Sequence, residues 1–236
     1  MTAFPGGTSV SHLRVYDWPT ADGLRGGSPH LHTVSTEGYV VLRGTGVLET
    51  LSGSGFEEHE LAEGGVLWFS PGTVHRLVNT AGDLEIVVVM QNAGLPEAGD
   101  AVFTFPPDVL ADPERYGAAA ALPASHDDAV LADAARARRD LAIEGYLPLR
   151  DRVRAGDLTA LDDLHRAAAG LVQGLVPGWR DLWRQRPLAQ AVVTGEQLDA
   201  LGMGQAGHLS TAKVETADGP APKFGMCGHL TTWQLH

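Results

Sequence analysis

The chain has 236 residues, of which 44% are hydrophobic, 19% charged and 6% aromatic. This is the profile of an ordinary soluble globular protein with enough material for one large or two modest domains, outside the disordered, collagen-like and membrane classes. Twenty-nine acidic residues against 17 basic ones leave a formal charge of −12, which opposes the phosphate neutralisation behind nucleic-acid affinity. No apolar run approaches the roughly 18 residues of a membrane-spanning helix. The first residues, Met1 to Gly7, lack the basic start and apolar stretch of a secretory signal, so a cytoplasmic location is expected. The single cysteine, Cys227, closes no intrachain disulfide and builds no thiolate cluster, so any metal must be held by histidine and carboxylates.

Up to about residue 105 the chain is a series of short apolar, β-branched segments. Strands are predicted near 9–16, 28–33, 37–43, 46–52, 55–62, 65–69, 74–80 and 84–91. Between them stand Arg43-Gly44-Thr45-Gly46, Ser52-Gly53-Ser54-Gly55, Glu63-Gly64-Gly65 and Thr80-Ala81-Gly82-Asp83, rich in residues that accept turn geometry. Closely spaced short strands with such punctuation argue for an all-β sandwich or barrel. Charge density changes where the texture does: the first 100 residues hold 12 acidic residues against 4 arginines, the remainder 17 against 13 basic ones.

From about residue 106 the pattern turns helical. Ser125-His126-Asp127-Asp128 resembles a capping box opening a helix that passes Ala134 and Arg139, with a stop expected near Tyr146 from Gly145 and Pro148. Leu161, Leu164, Ala168, Leu171 and Leu175 recur at spacings of 3 and 4, an apolar stripe that should end at Pro177 and serve as a core or dimer seam. Trp179 and Trp183 are one turn apart on a short third helix closed by Pro187, and Thr194 to Gly202 reads as one more. Arg180, Arg184 and Arg186 cluster, but a helix-turn-helix there fits poorly with an acidic protein. The tail from Ala212 to His236 is strand-like again and is able to add strands to this barrel or to a partner's.

Ten histidines are present, and two of them, His30 and His32, are two apart on a predicted strand, so both project from one face. Glu37, five further on, would fall on the opposite face of a straight strand. A turn at Thr33 to Thr36 is therefore needed, and a hairpin there would carry Glu37 onto the neighbouring strand. His75 opens another strand after Ser70-Pro71-Gly72. Three imidazoles and a carboxylate form a mixed set suited to a divalent transition metal and leave two positions of an octahedral ion open. Tyr39, Val41 and Arg43 share the face of Glu37. Tyr39 reads either as core packing or as a group that orients a ligand, and Arg43 either as a solvated strand end or as a carboxylate anchor. Trp68, Phe69, Ile86, Val88 and Met90 suggest an apolar barrel wall. His12, His59, His126, His165, His208, His229 and His236 show no comparable spacing and read as surface or singly bonded histidines.

At these residues the chain resembles the cupin superfamily. The first cupin motif reads here as His30, His32, Glu37 and Gly44, and the second as Gly64, Ser70-Pro71-Gly72, His75 and Asn79. Ser70 stands where the motif has a proline, with Pro71 beside it, and Leu24 where it has a glycine. The resemblance covers roughly residues 10–105. It implies a mainly β fold: a cupin-type jelly-roll barrel with its metal site at 1–105, leaving 106–236 as a helical extension with a short extended tail. It also implies a mononuclear metal on His30, His32, Glu37 and His75, and a homodimer.

The function so implied is a metal-dependent enzyme acting on a small organic molecule, with oxidative chemistry of dioxygenase type at iron ranked first. Manganese, nickel, zinc and copper suit the same donors. In this scheme the histidines are neutral donors, Glu37 is the anionic ligand that can shift to accept a proton, and Tyr39 is a second catalytic candidate. A non-redox isomerase or lyase, and a small-ligand-binding or sensing module, are the alternatives. A small-molecule substrate is expected, with neither nucleic acid nor membrane as partner.

Overall fold

Period-two burial builds the barrel wall. The computed structural model describes residues 4–233 and 235 and forms, among them, β1 (Ser9–Val15), β2 (His30–His32), β3 (Glu37–Arg43), β4 (Thr45–Ser52), β5 (Gly55–Ala62), β6 (Val66–Phe69), β7 (Val74–Asn79), β8 (Glu85–Met90), β9 (Ala101–Phe103), β10 (Ala221–Phe224) and β11 (Gly228–Thr232). In β3, Glu37, Tyr39 and Val41 are buried and alternate with half-buried Gly38 and Val40. In β8, Ile86, Val88 and Met90 alternate in the same way. Two antiparallel sheets result, one in the order β10-β11-β1-β8-β3-β6 and the other β5-β4-β7-β2-β9. Their inner faces meet over Leu13, Tyr39, Leu48, Leu77 and Ile86, the jelly-roll arrangement expected.

The predicted strands are present with small shifts of boundary, the strand-like tail supplies β10 and β11, and β9 is an addition. β11 pairs with β1 from Ser11↔Thr232 to Val15↔Gly228, so the tail completes this chain's own sheet. His236 and Met1 to Ala3 lie outside the described residues. Of the apolar wall residues, whose faces the sequence leaves open, Trp68 lies on the outer face of edge strand β6 and is 73% exposed, because Leu67 and Phe69 take the inward phase. One expectation among the strands needs correction: the turn at 33–36 makes no hairpin. β2 is paired with β7 and β9, and β3 with β6 and β8, so the chain crosses there from one sheet to the facing one.

Beyond the barrel come α1 (Pro107–Leu110), α2 (Pro113–Ala120), α3 (Asp128–Arg154), α4 (Thr159–Val172), α5 (Val176–Trp183) and α6 (Ala189–Gly202). α3 is capped by Asp127, whose carboxylate accepts from Ala129 N–H at 2.8 Å, and it does not stop near Tyr146. Gly145 marks a close approach instead: a Cβ there would lie 2.2 Å from the Thr104 carbonyl oxygen. Pro148 stays inside the helix because Tyr146 and Val153, both buried, hold the chain on either side. Pro177 and Pro187 likewise fail to break the later helices. Pro177 sits in the first turn of α5, after a 3-10 stretch at Gln173–Leu175, and Pro187 is absorbed in a π turn at Arg184–Leu188. Leu161, Leu164 and Ala168 pack with Leu31, Leu51, Val74, Phe103 and Tyr146 on the outer face of the five-stranded sheet. The stripe is thus a core seam, though its last member, Leu175, is 44% exposed.

Buried polar groups bind the 17–27 loop to this frame. Arg139, wholly buried, donates to the carbonyls of Trp18, Pro19 and Gly26, and Arg76 pairs with Asp22 and Glu49. Tyr146 Oη donates to the same Glu49 carboxylate at 3.1 Å. Two glycines test the packing in opposite directions. Gly145→Ala should lower the unfolding free energy by about 1–3 kcal/mol through the backbone clash. Gly170→Ala, on the exposed side of α4 with nothing within 4 Å of the added atom, should raise it by about 0.4–1 kcal/mol. Urea unfolding of the two variants checks both signs, and a neutral Gly145→Ala would contradict the close approach.

Candidate metal centre

β2 and β7 lie side by side with His30 opposite His75. Because side chains alternate, His30 and His32 enter the barrel while Leu31 turns outward into the helical core. The Ser70–Thr73 turn sets the height of His75: Gly72 has φ +86°, a conformation that favours glycine, and its N–H donates to His32 O at 2.8 Å. Glu37 faces the histidines from the opposite sheet.

Asp100 makes that crossing possible. Its wholly buried carboxylate accepts from the N–H groups of Thr33, Val34 and Ser35 at 2.9, 2.8 and 3.0 Å and from Thr33 Oγ1 at 2.7 Å. Three successive backbone donors are gathered on one anion, which fixes the crossing loop. The other side of the same carboxylate, Oδ2, is 3.5 Å from His32 Nδ1. A carboxylate behind a histidine orients the ring and raises its basicity. No spacing in the sequence pointed to Asp100.

The donors of His30, His32, Glu37 and His75 all lie within 4.8 Å of one another, and all four residues are buried. His30 Nδ1 donates to Ser28 O at 2.9 Å and His75 Nδ1 to Thr73 O at 3.1 Å. Since carbonyls only accept, both rings carry a proton on Nδ1 and turn Nε2 inward. The two Nε2 atoms are nevertheless 3.1 Å apart. Glu37 Oε2 lies 3.2 Å from His32 Nε2 and 3.1 Å from His75 Nε2, yet no hydrogen bond is aimed at it. Neighbouring ligands about 2.1 Å from an octahedral ion stand about 3.0 Å apart, so these separations suit a cation shared among all four. The residues present fit a divalent metal.

Electrostatics agree with that fit. Burial, with His75 and His32 adding to it, holds His30 well below the usual imidazole value and hence neutral. Burial works against the Glu37 carboxylate, but His75 and His32 outweigh it and hold Glu37 well below the ordinary carboxyl range. Burial also disfavours a charge on His32, but the Asp100 and Glu37 carboxylates on either side of the ring push it up to about 9. The metal-free cluster therefore keeps one proton on His32 at neutral pH.

His30, His32 and Glu37 open onto a cavity of about 330 Å³. Leu13, Val88 and Met90 line it from the barrel, Arg138 from α3, and residues 223–227 from the tail. Tyr39 reaches the same cavity; burial and the adjacent Glu37 raise its phenol well above the usual value, so it stays protonated. Arg43 is at the solvated strand end, 3.5 Å from Glu85, and does not reach the site. His12, His59 and His165 each find a separate partner in Glu85, Thr50 and Gly72 O, and among the described residues no other histidine joins the cluster. Trp179 packs away from the cavity, its Nε1–H donating to Ala98 O at 3.0 Å.

Residues 21–90 match the family model of the cupin domain. No curated protein sequence matches the chain. Among solved structures, a conserved Klebsiella pneumoniae protein with a double-stranded β-helix domain is 20% identical, with 36% of this chain and 64% of that one covered and a TM-score of 0.27. A variant of Streptomyces PAC13 solved with uridine is 17% identical over 37% and 61%, TM-score 0.29. The TDP-fucose-3,4-ketoisomerase of Campylobacter jejuni is 13% identical over 39% and 64%, TM-score 0.32. In each case the chain spans less than two thirds of the matched protein's own length.

Elemental analysis of purified protein should find about one divalent metal per chain, lost in His75→Ala. Asp100→Asn should weaken metal binding by about 10- to 100-fold; unchanged metal content in His75→Ala would refute the ligand set. Because His32 holds a proton below about 9, the ion competes with that proton at lower pH and not above. Apparent affinity should rise about tenfold per pH unit between 7 and 9 and then level off. Calorimetric titrations in buffers of different ionisation enthalpy would read the released proton directly, and a flat profile would contradict protonation of His32.

Proposed function

Residues 21–90 are a cupin domain, and on that premise we propose that the chain is a metal-dependent enzyme acting on a small organic molecule, an oxidoreductase of dioxygenase type with a single ion on His30, His32, Glu37 and His75. The observation carrying this reading is that the four-donor cluster lies at the wall of a largely apolar cavity. Four protein donors leave two positions of an octahedral ion for guests. When bound, the ion supplies a Lewis acid and, in the case of iron, electrons for dioxygen chemistry; manganese, nickel, zinc and copper fit the same donors.

The chain's own residues do the rest. Leu13, Val88 and Met90 give the cavity an apolar wall, against which a bound substrate would displace water and strengthen the charge interactions inside. Glu37 stays ionised and offsets one unit of the ion's charge. Tyr39, held as a phenol, donates its O–H toward the Glu37 end of the cavity, orienting an oxygen of the substrate. The same Glu37–Tyr39 pair supports a second reading, non-redox isomerisation or elimination, in which the carboxylate accepts a proton from one substrate atom and the phenol donates to another.

Oxygen uptake under ferrous loading separates the two. Dioxygen consumed in step with substrate, and abolished in His75→Ala, is the expected result; turnover without oxygen consumption would favour the isomerase or lyase, and reversible binding without turnover a sensing module. Tyr39→Phe should retain its metal and lose about 10²-fold in kcat. Full activity in that variant would reduce Tyr39 to core packing.

A further inference from the structure

Arg138 has no part in the metal chemistry above, yet it lines the same cavity. Of the five N–H donors of its guanidinium, one from Nη1 goes to Ala120 O at 3.0 Å and one from Nη2 to Gly225 O at 2.9 Å. Nε is buried and has no acceptor. The Cζ atom is 5.2 Å from the centroid of the Phe103 ring, which is itself 6.5 Å from that of His30. Among the described residues no carboxylate forms an ion pair with Arg138, whereas the other two deeply placed arginines have theirs: Arg76 with Asp22 and Glu49, Arg139 with Asp140. Among these three inward-placed arginines Arg138 alone lacks a counter-ion, in a chain whose 29 acidic residues outnumber 17 basic ones.

Burial opposes the charge of Arg138, and no nearby carboxylate compensates. Arg138 is half-buried, and a partly desolvated charge without a counter-ion is costly; the two carbonyl contacts do not account for it, since a neutral amide side chain makes bonds of the same kind. The rest of the cavity wall points the same way. Lys223, on β10, is a second cation there, and Glu97, its carboxylate besides Glu37, is already engaged, accepting from Gly94 N–H at 3.0 Å.

We propose that Arg138, assisted by Lys223, is the anion anchor of the cavity, and that the substrate is a small organic acid. Its carboxylate, or an equivalent oxyanion, is held by the Arg138 guanidinium, while an oxygen, nitrogen or sulfur donor at its other end faces the His30–Glu37 wall. The assignment of a metal-seeking end rests on the function proposed above; the anchor itself does not. Arginine suits this task because its planar fork matches an oxyanion with two parallel hydrogen bonds.

The test uses the metal-loaded full chain and calorimetric titration with straight-chain monocarboxylates from acetate to hexanoate, the matching amides, and methyl phosphate. Acids should bind at least about tenfold more tightly than amides. Arg138→Gln should erase that preference with metal content and unliganded Tm unchanged, and Lys223→Gln should weaken acids by up to about fivefold. Tighter binding of methyl phosphate, lost in Arg138→Gln, would keep the anchor and assign a phosphorylated substrate. Equal binding of acids and amides by the unaltered chain, or an acid preference that survives Arg138→Gln, overturns the proposal. Should Arg138→Gln fail to fold, Arg138→Lys, which keeps charge without the fork, should show a weakened acid preference; an unchanged one overturns the proposal. Repeating the titrations after chelation keeps the two readings apart. An acid preference that vanishes with the metal places the carboxylate on the ion and refutes the anchor, whereas one that persists in a chain found to hold no metal supports Arg138 and refutes the metal reading.

Discussion

Two buried imidazoles face each other across 3.1 Å in the interior of the barrel, and each has its Nδ1 proton committed elsewhere. His30 and His75 donate from Nδ1 to carbonyl groups two residues upstream, which fixes both rings and aims both Nε2 atoms at one point. The lone pair of neutral His30 and the ionised Glu37 carboxylate gather electron density on the same spot. Such a cluster is stable only around a positive centre: an ion when one is bound, or the proton that His32 retains between Glu37 and Asp100 in its absence. The strands, the crossing loop and the turn before His75 serve to keep these donors aimed at one point.

The parts of the chain outside the barrel complete that arrangement. The tail returns to the body of the fold, where Ser28, two residues before His30, donates from both N–H and Oγ to Met226 O, and β11 extends the sheet beside β1. In doing so it brings residues 223–227 over the mouth of the metal wall, while α3 contributes Arg138. One end of the cavity is therefore made by the barrel and the other by a helix and a tail that follow it along the chain. The candidate metal ligands and the rest of the cavity wall are thereby divided between segments that can vary separately.

Much of the barrel is visible in the chain itself, because what specifies it is local. Alternation in segments such as Glu37–Arg43 sets which side chains face inward, and glycines such as Gly72 mark turns through backbone angles other residues rarely take. Local signals misled at the helices. Gly145 and Pro148 look like a stop, yet Gly145 is required by the Thr104 backbone against it, and packing carries α3 onward. Trp68 shows the same limit on a strand: its apolar character says nothing of which phase of β6 faces the core, and Leu67 and Phe69 take it.

The amino-acid sequence by itself determined the four donors, since a two-residue spacing on a strand puts His30 and His32 on one face and a turn returns Glu37 and His75 to the same barrel. Only the tertiary structure decided that Glu37 crosses to the opposite sheet, that Asp100 holds both the crossing loop and His32, and that Arg138 and the tail close the cavity. These depend on contacts between residues distant along the chain, with no periodicity linking them. Whether an acidic or basic side chain lies in solvent or in a site is settled by what packs around it, and that is a property of the folded whole.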